Sequence, residues 1–260
     1  HPNADRLSLC TVDVGDGEDA FARLGRGFNG MLDKSEALVV ELRLVTDGLA
    51  HDLRSPITRL QSVIERAAAG ARDRGARAAL ESAQHEAAGL QAMLTTALQI
   101  SRAEAGIGRE RFEPVDLATV LVDLGEIYGP VAEDRGFALT ADAAPGMVVA
   151  AHRELLGQAL GNLVENALRH ADGGSCIRLK VEREREAIVV SVADDGPGIP
   201  TDRWPDALRR FGRLDPSRHA SGHGLGLSLV DATARLHGGR VELADAGPGL
   251  VVRLILPATG

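Results

Sequence analysis

The feature that most constrains the fold is a long helical pattern that runs from about residue 36 to residue 105. Apolar side chains there recur at steps of four, three and four residues, at Leu38, Leu42, Val45 and Leu49. This is the spacing of a coiled-coil seam. After a break around residues 70–75, a second run carries Leu80, Ala83, Ala87, Leu90, Leu94, Ala97 and Leu98. A hairpin of two helices cannot cover both faces of this seam alone, so the pattern predicts a dimeric four-helix bundle over residues 37–106. A helical spacer or ordinary coiled coil has the same pattern, and composition alone favours that alternative.

The remainder of the chain has the pattern of an α/β domain at residues 115–260, after a linker at residues 107–114. Residues 117–134 and 152–170 have helical periodicity. Four short apolar or alternating runs predict strands, at 177–181, 188–193, 241–244 and 251–256. The segment between Asp194 and Gly222 is polar and contains four prolines. Loops this long in a compact domain are usually lids or binding loops.

Composition limits the class of protein. The net charge of -8 argues against nucleic acid as a partner, because phosphate binding needs a clustered basic surface. Cys10 and Cys176 have no metal-like spacing and fit a reducing compartment. The sequence contains no apolar run long enough to span a membrane. It begins His1-Pro2 without an initiator methionine, and we interpret it as a fragment of a longer protein.

A histidine lies within the first long helical pattern, in the sequence HDLRSP at residues 51–56. In the register of the apolar seam, His51 is expected to face solvent. Its neutral imidazole is a competent nucleophile near pH 7, because its unperturbed pKa is about 6.5. Asp52 could take or hold the ring proton, but neighbours on a helix do not face each other. Asp52 therefore needs a suitable rotamer or a helix distortion, for which Pro56 gives a reason. Taken alone, a surface histidine and a proline kink are the simpler explanation.

The segment GNLVENALRHA at residues 161–171 belongs to a helix with two distinct faces. The apolar face contains Leu156, Leu160, Leu163 and Ala167, and the polar face contains Asn162, Asn166, Arg169 and His170. An asparagine carbonyl oxygen is a suitable ligand for Mg²⁺, and a cation near phosphates lowers the repulsion that phosphoryl transfer must overcome. Taken alone, an asparagine stripe is usually a solvated helix face.

Two glycine-rich segments follow. DDGPGIP, residues 194–200, comes directly after an apolar strand. A carboxylate at a strand end can accept a hydrogen bond from an exocyclic amine such as that of adenine, and the glycines leave room for a flat ring. GHGLGLS, residues 222–228, opens an apolar helix, where backbone N–H groups and the helix dipole favour a phosphate. It is not the Walker pattern, because no Gly-Lys-Ser/Thr follows. In isolation, each segment is equally compatible with a turn that binds nothing.

Together, in this order and spacing, these motifs resemble those of the sensor histidine kinases of two-component systems. HDLRSP is similar to the family's phosphoacceptor box, GNLVENALRHA to its asparagine-rich box, and DDGPGIP and GHGLGLSLV to its two glycine boxes. LRRFGRLD resembles the phenylalanine box. The resemblance covers about residues 38–257, and residues 19–36 resemble the second helix of a HAMP linker.

The resemblance implies a multidomain protein. Its parts would be a HAMP-like linker remnant at residues 1–36, a dimerisation and histidine phosphotransfer hairpin at 37–106, a linker at 107–114 and a catalytic ATP-binding domain at 115–260. The last would be an α/β sandwich of Bergerat (GHKL) type, with helices on one face of a mixed sheet. The implied activity is that of a protein histidine kinase, which uses ATP to phosphorylate His51 and relays the phosphoryl group to an aspartate of a separate response regulator.

Carried over residue by residue, the resemblance implies that His51 is the phosphoacceptor and Asp52 its acid–base partner. Ser55 stands where threonine is commoner, a position that bears on dephosphorylation of the regulator. Asn166 would bind Mg²⁺, with Asn162 nearby, and Asp194 would bind the adenine amine of ATP. The other implied nucleotide-binding positions are Arg169, His170, Gly196, Gly198, Ile199, Arg213, Leu214, Gly222, His223, Gly224, Leu225, Gly226 and Leu227.

The resemblance also implies partners and a location. The partners would be a second copy of the chain, in a homodimer, and the receiver domain of a response regulator. HAMP linkers in this family usually follow a transmembrane helix. We therefore expect the cytoplasmic portion of a bacterial inner-membrane sensor, anchored through a missing N-terminal segment.

Three departures from the family pattern leave other hypotheses open. Asp195 stands where asparagine is common, His223 where threonine or serine is usual, and Leu208-Arg209 where Phe-Glu is usual. A second hypothesis is therefore an ATP-binding sensor with weak kinase activity that works mainly as a phosphatase or scaffold. A third is another Bergerat-fold ATPase of the gyrase, mismatch-repair or chaperone type. HDLRSP on a long hairpin argues against the third, because those ATPases need no nucleophilic histidine.

Overall fold

The computed structural model describes residues 23–24, 27–32, 34, 37, 56–71, 73–209, 212 and 224–258. The described positions up to residue 37 are helical, in the segment where a short helix was predicted. The seam at residues 38–49 and the segment 51–55 lie outside the described residues.

Two helices form the first part of the described chain. They are α1, residues 56–70, and α2, Arg74–Glu104. The Asp73 carboxylate caps α2 by accepting the Ala76 N–H at 2.8 Å. The Gln84 side chain donates a hydrogen bond to the Glu65 carboxylate at 3.2 Å, so α1 and α2 lie side by side across the predicted break. Apolar side chains on both helices stay exposed, at 53% for Leu60, 55% for Val63 and 54% for Leu90.

The α/β region contains a small and a large sheet. In the small sheet, β1 (Glu113–Asp116) pairs antiparallel with β3 (Val148–Ala151). Across the large sheet, the order is β2 (Ala138–Ala143), β4 (Cys176–Glu184), β5 (Ala187–Asp194), β7 (Leu250–Pro257) and β6 (Arg240–Asp245). β2 pairs parallel with β4, and the other neighbours pair antiparallel. The sheet is therefore mixed.

Helices cover one face of the large sheet. They are α3 (Leu117–Asp134), α4 (Arg153–His170) and α6 (Gly226–Leu236), and a short helix, α5 (Trp204–Leu208), precedes α6. In β4 the buried residues Ile177, Leu179 and Val181 alternate with more exposed ones, as the two-residue period of a strand requires. They pack with buried residues of α4 and α6, such as Leu160 and Val230, in the main core. The predicted arrangement of helices on one face of a mixed sheet is confirmed.

A second apolar cluster joins the hairpin to the α/β region. Ile100 and Ala103 of α2 pack with Leu225, Leu229, Ala232 and Leu236, at the start and along the length of α6. The side-chain amides of Gln99 in α2 and Gln158 in α4 exchange two hydrogen bonds, of 2.6 and 2.9 Å. The second helix of the hairpin is thus in direct contact with α4 and α6.

Within the described residues, the helices and strands expected from periodicity are present near the predicted bounds. β1, β2, β3 and α5 were not predicted, and β1 begins within the segment interpreted as a linker. None of the helices that the structure describes is both long and apolar enough to cross a membrane.

Candidate nucleotide-binding site

α4 separates its two faces as the sequence predicts. Leu156, Leu160, Leu163 and Ala167 are buried in the main core, whereas Asn162, Asn166 and Arg169 are half-buried and His170 is exposed. Within the described part of the chain, the buried Nδ2 group of Asn162 has no hydrogen-bond partner. A buried donor left without a partner costs about 1–3 kcal/mol, so this orphaned amide fits a site that is completed by a ligand.

Asp194 lies at the end of β5, beside the C-terminal end of α4. Its Oδ1 accepts the Gly196 N–H at 3.0 Å. Burial raises the pKa of the Asp194 carboxyl, while hydrogen bonds from the N–H groups of Gly196 and Leu250 and the charge of His170 act in the opposite direction. A half-buried carboxylate that keeps acceptor capacity is suited to bind the amine of a base in this location.

The loop after Asp194 is held against the turn between β6 and β7. Gly249 has φ +111, and a Cβ atom there would overlap the Asp194 carbonyl oxygen. Gly198 has φ +69, and its Cβ would lie 2.8 Å from the Gly249 carbonyl oxygen. Gly196 packs against Ala171, which follows α4. Ile199, at the end of the loop, packs against the main core.

The Asp195 carboxylate binds the backbone at the start of β4. Its Oδ1 accepts the N–H groups of Ser175 and Cys176 at 2.8 and 2.9 Å, and its Oδ2 accepts the Ser175 hydroxyl at 2.9 Å. The bonds from the Cys176 and Ser175 N–H groups lower the pKa of the Asp195 carboxyl. This departure from the usual asparagine therefore ties the nucleotide loop to the start of β4.

The start of α6 meets the polar face of α4. A Cβ atom on Gly226 would lie 3.2 Å from Asn166 Nδ2 and 3.4 Å from Asn166 Oδ1, so the glycine allows this close approach. The N-cap residue of α6 is Leu225, which has no polar side-chain atom to cap the helix. The first backbone N–H groups of α6 and the positive end of the helix dipole are thus available to an anion beside Asn166.

Two residues predicted to bind nucleotide use their side chains elsewhere. Leu225 is buried against Ile100 and Ala103 of α2, and Leu227 packs on the main core. Only their backbone groups remain for a phosphate. Gly224 lies just before them, with φ +66.

Seven predicted site residues lie outside the described residues. They are His51, Asp52, Ser55, Arg213, Leu214, Gly222 and His223. Among the predicted site residues that are described, the structure brings together the asparagine-rich segment, the first glycine-rich segment and the start of α6.

The residues fit Mg²⁺ as an ion carried by phosphates. Among the described residues, no group of three or more His, Cys, Asp or Glu side chains could hold a metal ion. Mg²⁺ bound to a nucleotide keeps several waters and needs only one or two protein oxygens. The Asn166 carbonyl oxygen, next to the start of α6, is suited to supply one.

Sequence reasoning missed three residues at this site. Gly249 closes against Asp194, Ser175 binds Asp195, and the Trp204 indole N–H donates to the Ile199 carbonyl at 2.9 Å. Only one signal in the sequence pointed to any of them: the Gly-Pro-Gly run at residues 247–249 lies between two predicted strands.

The fold and this candidate nucleotide-binding site together define an ATPase domain of GHKL type joined to a helical hairpin. Residues 41–106 match the model of the His Kinase A (phospho-acceptor) domain. Residues 151–260 match the model of the histidine kinase-, DNA gyrase B-, and HSP90-like ATPases. The chain belongs to the sensor histidine kinases of two-component systems.

Individual relatives agree with this assignment. The sensor histidine kinase MtrB of Mycobacterium tuberculosis is 32% identical over 254 residues, which are 93% of this chain and 45% of MtrB. The sensor protein IrlS of Burkholderia pseudomallei is 33% identical over 215 residues, covering 82% of this chain and 46% of IrlS. The chain thus spans about half the length of the curated relatives that it matches.

A solved structure has the same fold. The crystal structure of full-length ShkA in complex with AMPPNP matches with a TM-score of 0.69 at 23% identity, over 83% of this chain and 46% of ShkA. At this identity the likeness concerns the arrangement of helices and strands.

Proposed function

We propose that this chain is the catalytic portion of a sensor kinase that binds ATP and phosphorylates its own His51. The observation that carries the proposal is the meeting of Asn166 with the start of α6, where a Cβ atom on Gly226 would lie only 3.2 Å from Asn166 Nδ2. The orphaned Nδ2 of Asn162 lies one turn earlier on α4, and Asp194 lies beside the C-terminal end of the same helix. Both support a ligand that extends from Asp194 along the polar face of α4.

The base of ATP is bound at the Asp194 end. The Asp194 carboxylate accepts a hydrogen bond from the exocyclic amine of adenine, and its own position is set by the Gly196 N–H. In the loop of residues 194–199, Gly196 and Gly198 carry no side chain, and the Ile199 side chain packs against the main core, which leaves room for the ring. A guanine base has a carbonyl where adenine has the amine, so a carboxylate here favours ATP.

The phosphates are bound between the polar face of α4, at Asn162 and Asn166, and the start of α6. The first N–H groups of α6 stabilise their negative charge, and Arg169 adds a cation on the same face of α4. Mg²⁺, when bound through Asn166, lowers the repulsion between the nucleophile and the γ-phosphate. Asn162 supplies a donor that has no other partner in the described part of the chain.

Transfer takes place between two domains. A ring nitrogen of neutral His51 attacks the γ-phosphorus, an N–P bond forms, and the bond from that phosphorus to the bridging oxygen breaks to release ADP. Asp52 accepts the proton that the imidazole loses. In the second step, an aspartate oxygen of a response regulator attacks the same phosphorus, the N–P bond breaks and the imidazole regains a proton.

The proposal includes a homodimer, a receiver domain as the protein partner, and a parent protein anchored in the bacterial inner membrane with this portion in the cytoplasm. The exposed apolar residues Leu60, Val63 and Leu90 of the hairpin support dimerisation. The family's sensor role supports the receiver partner and the anchor.

Incubation with Mg²⁺ and ATP labelled in the γ-phosphate tests the proposal. We expect label on the protein that is labile in acid and stable in base, as phosphohistidine is. A chain that binds ATP without becoming labelled would support the alternative of a phosphatase or scaffold. A chain that binds no ATP would contradict the proposal altogether.

A further inference from the structure

We infer that Trp204 is a positioning residue that fixes the far end of the nucleotide-binding loop through its indole N–H. The inference rests on the proposed function, because it assigns this loop to ATP. Trp204 is the first residue of α5, is half-buried and packs against the main core. Its Nε1–H donates a hydrogen bond to the Ile199 carbonyl at 2.9 Å.

The loop of residues 194–199 is anchored at its beginning by two other contacts. The Asp194 carboxylate accepts the Gly196 N–H at 3.0 Å, and Gly249 closes on the Asp194 carbonyl. At its end, the indole bond holds the carbonyl of Ile199, whose side chain packs on the main core. Trp204 therefore sets the peptide plane where the loop leaves the site.

Tryptophan is suited to this task because it combines a large apolar ring with one donor. The ring packs on the core, and the N–H reaches back over the turn at Thr201–Arg203. α5 has only five residues, so it gains little stability from its own backbone bonds. Its attachment to the loop depends on side chains.

A phenylalanine at this position keeps an aromatic ring and lacks the donor. We expect Trp204→Phe to weaken ATP binding about threefold to tenfold, the range of one lost hydrogen bond. KM for ATP should rise by the same factor, while kcat at saturating ATP stays within about twofold, because the phosphate end of the site is untouched.

Asp206→Asn is the matched control in the same short helix. Asp206 pairs with Arg203 at 3.5 Å and with Arg209 at 3.7 Å, and neither ion pair touches the loop. Its loss should leave ATP affinity unchanged.

The experiment is calorimetric titration of the full chain and both variants with ATP and Mg²⁺, with thermal unfolding measured without nucleotide. The inference holds if Trp204→Phe loses ATP affinity at an unchanged unfolding midpoint and Asp206→Asn keeps the ATP affinity of the wild type. Equal affinity in wild type and Trp204→Phe overturns the inference and leaves the proposed function intact. So does a fall in affinity that is accompanied by a lowered unfolding midpoint, which would indicate a purely structural role. Absence of ATP binding in the wild type overturns the proposed function and the inference with it.

The unmodified chain provides a second measurement, since Trp204 is its sole tryptophan. We expect its fluorescence emission to change saturably with ATP, at the dissociation constant found by calorimetry. An emission that does not respond to saturating ATP contradicts a link between the indole and the nucleotide loop.

Discussion

At the scale of single residues, close approach constrains the proposed nucleotide site as strongly as charge does. Gly249 touches the backbone of Asp194, although the two residues are far apart in the sequence. Asp195 uses its carboxylate to bind Ser175 and Cys176. Neither contact involves a group that would react, but each sets where Asp194 lies.

Gly249→Ala should destabilise the protein and impair ATP binding. A Cβ there would overlap the Asp194 carbonyl, and φ is +111, so we expect a loss of roughly 3 kcal/mol or more. Gly247→Ala is the control in the same turn, because Gly247 has φ +62 and open space around the Cβ position. It should cost only about 1 kcal/mol. Denaturant unfolding of both variants checks this, and equal losses would contradict the close approach.

A second residue-level feature is the buried His237 at the end of α6. Its Nε2 accepts the His152 N–H at 3.0 Å, and its Nδ1 lies 2.7 Å from the Thr233 carbonyl oxygen. The ring stacks on Phe112 with centroids 4.5 Å apart. These partners require the neutral tautomer with a proton on Nδ1. Burial lowers the pKa of the His237 imidazole, and the charges of His152 and Arg109 lower it further.

The protein should therefore lose stability as the pH falls below about 6.5. Between the lowered pKa of folded His237 and that value, the unfolded chain binds more protons, so the free energy of unfolding increases with pH. His237→Gln keeps an acceptor oxygen and does not titrate, and its profile should be flatter. Urea unfolding at about pH 7.5 and about pH 5.5 measures the difference. Parallel profiles for the two proteins would rule out His237 as the source.

At the scale of elements, the contact between α2 and α6 links the helical hairpin of α1 and α2 to the start of the proposed phosphate site. Leu225, next to Gly226, is buried with Ile100 of α2. The residue that opens the glycine-rich helix is therefore part of the joint between the two regions. A shift of α2 along this cluster would therefore displace Leu225 and, with it, the N-terminus of α6.

Ile100→Ala should destabilise this joint by about 2–4 kcal/mol, because the side chain is only 1% exposed and its removal leaves a cavity. Thr96→Ala, on the same helix, removes a hydroxyl that donates a hydrogen bond to the Ala92 carbonyl one turn earlier. It should change stability by less than about 0.5 kcal/mol. Denaturant unfolding tests the pair, and a small effect of Ile100→Ala would contradict the packing of α2 on α6.

The elements also show how far the sequence could predict the fold. β4 was predicted because Ile177, Leu179 and Val181 alternate on a buried face. β2, at the edge of the large sheet, is mostly exposed, and β1 contains Pro114. Their strand conformation comes from pairing with β4 and β3, which local patterns do not contain.

The candidate site divides in the same way. Motifs located Asn166 and Asp194, because each belongs to a continuous segment of helix or strand end. The contacts of Gly249 with Asp194 and of Leu225 with Ile100 join segments that meet only after folding. The sequence of one segment carries no information about which surface the other presents to it.

At the scale of the whole molecule, the hairpin leaves apolar side chains for a second copy to cover. We expect a homodimer at micromolar concentration by light scattering. Leu60→Glu and Leu90→Glu should each raise the dimer dissociation constant at least about tenfold, because a carboxylate is costly to bury. Val122→Glu is the control, since Val122 is 56% exposed on α3 and outside the hairpin. A wild-type monomer, or a dimer that Leu60→Glu and Leu90→Glu affect no more than Val122→Glu does, would contradict the predicted bundle.

In the proposed function, nucleotide binding and the phosphoacceptor belong to different domains. His51 lies in the segment that matches the phosphoacceptor domain, and Asn166 in the segment that matches the ATPase. His51→Gln should therefore keep ATP affinity within about twofold and lose all phosphorylation, because glutamine has no nucleophilic nitrogen. Asn166→Ala removes a ligand oxygen for Mg²⁺, so Mg²⁺-dependent ATP binding and phosphorylation should both fall.

The most direct measurement combines ATP calorimetry with labelling by γ-phosphate on wild type, His51→Gln and Asn166→Ala. We expect acid-labile, base-stable label on the wild type, intact binding without label in His51→Gln, and reduced binding and label in Asn166→Ala. If His51→Gln still acquires label of that chemistry, another histidine is the acceptor and the assignment of His51 is wrong.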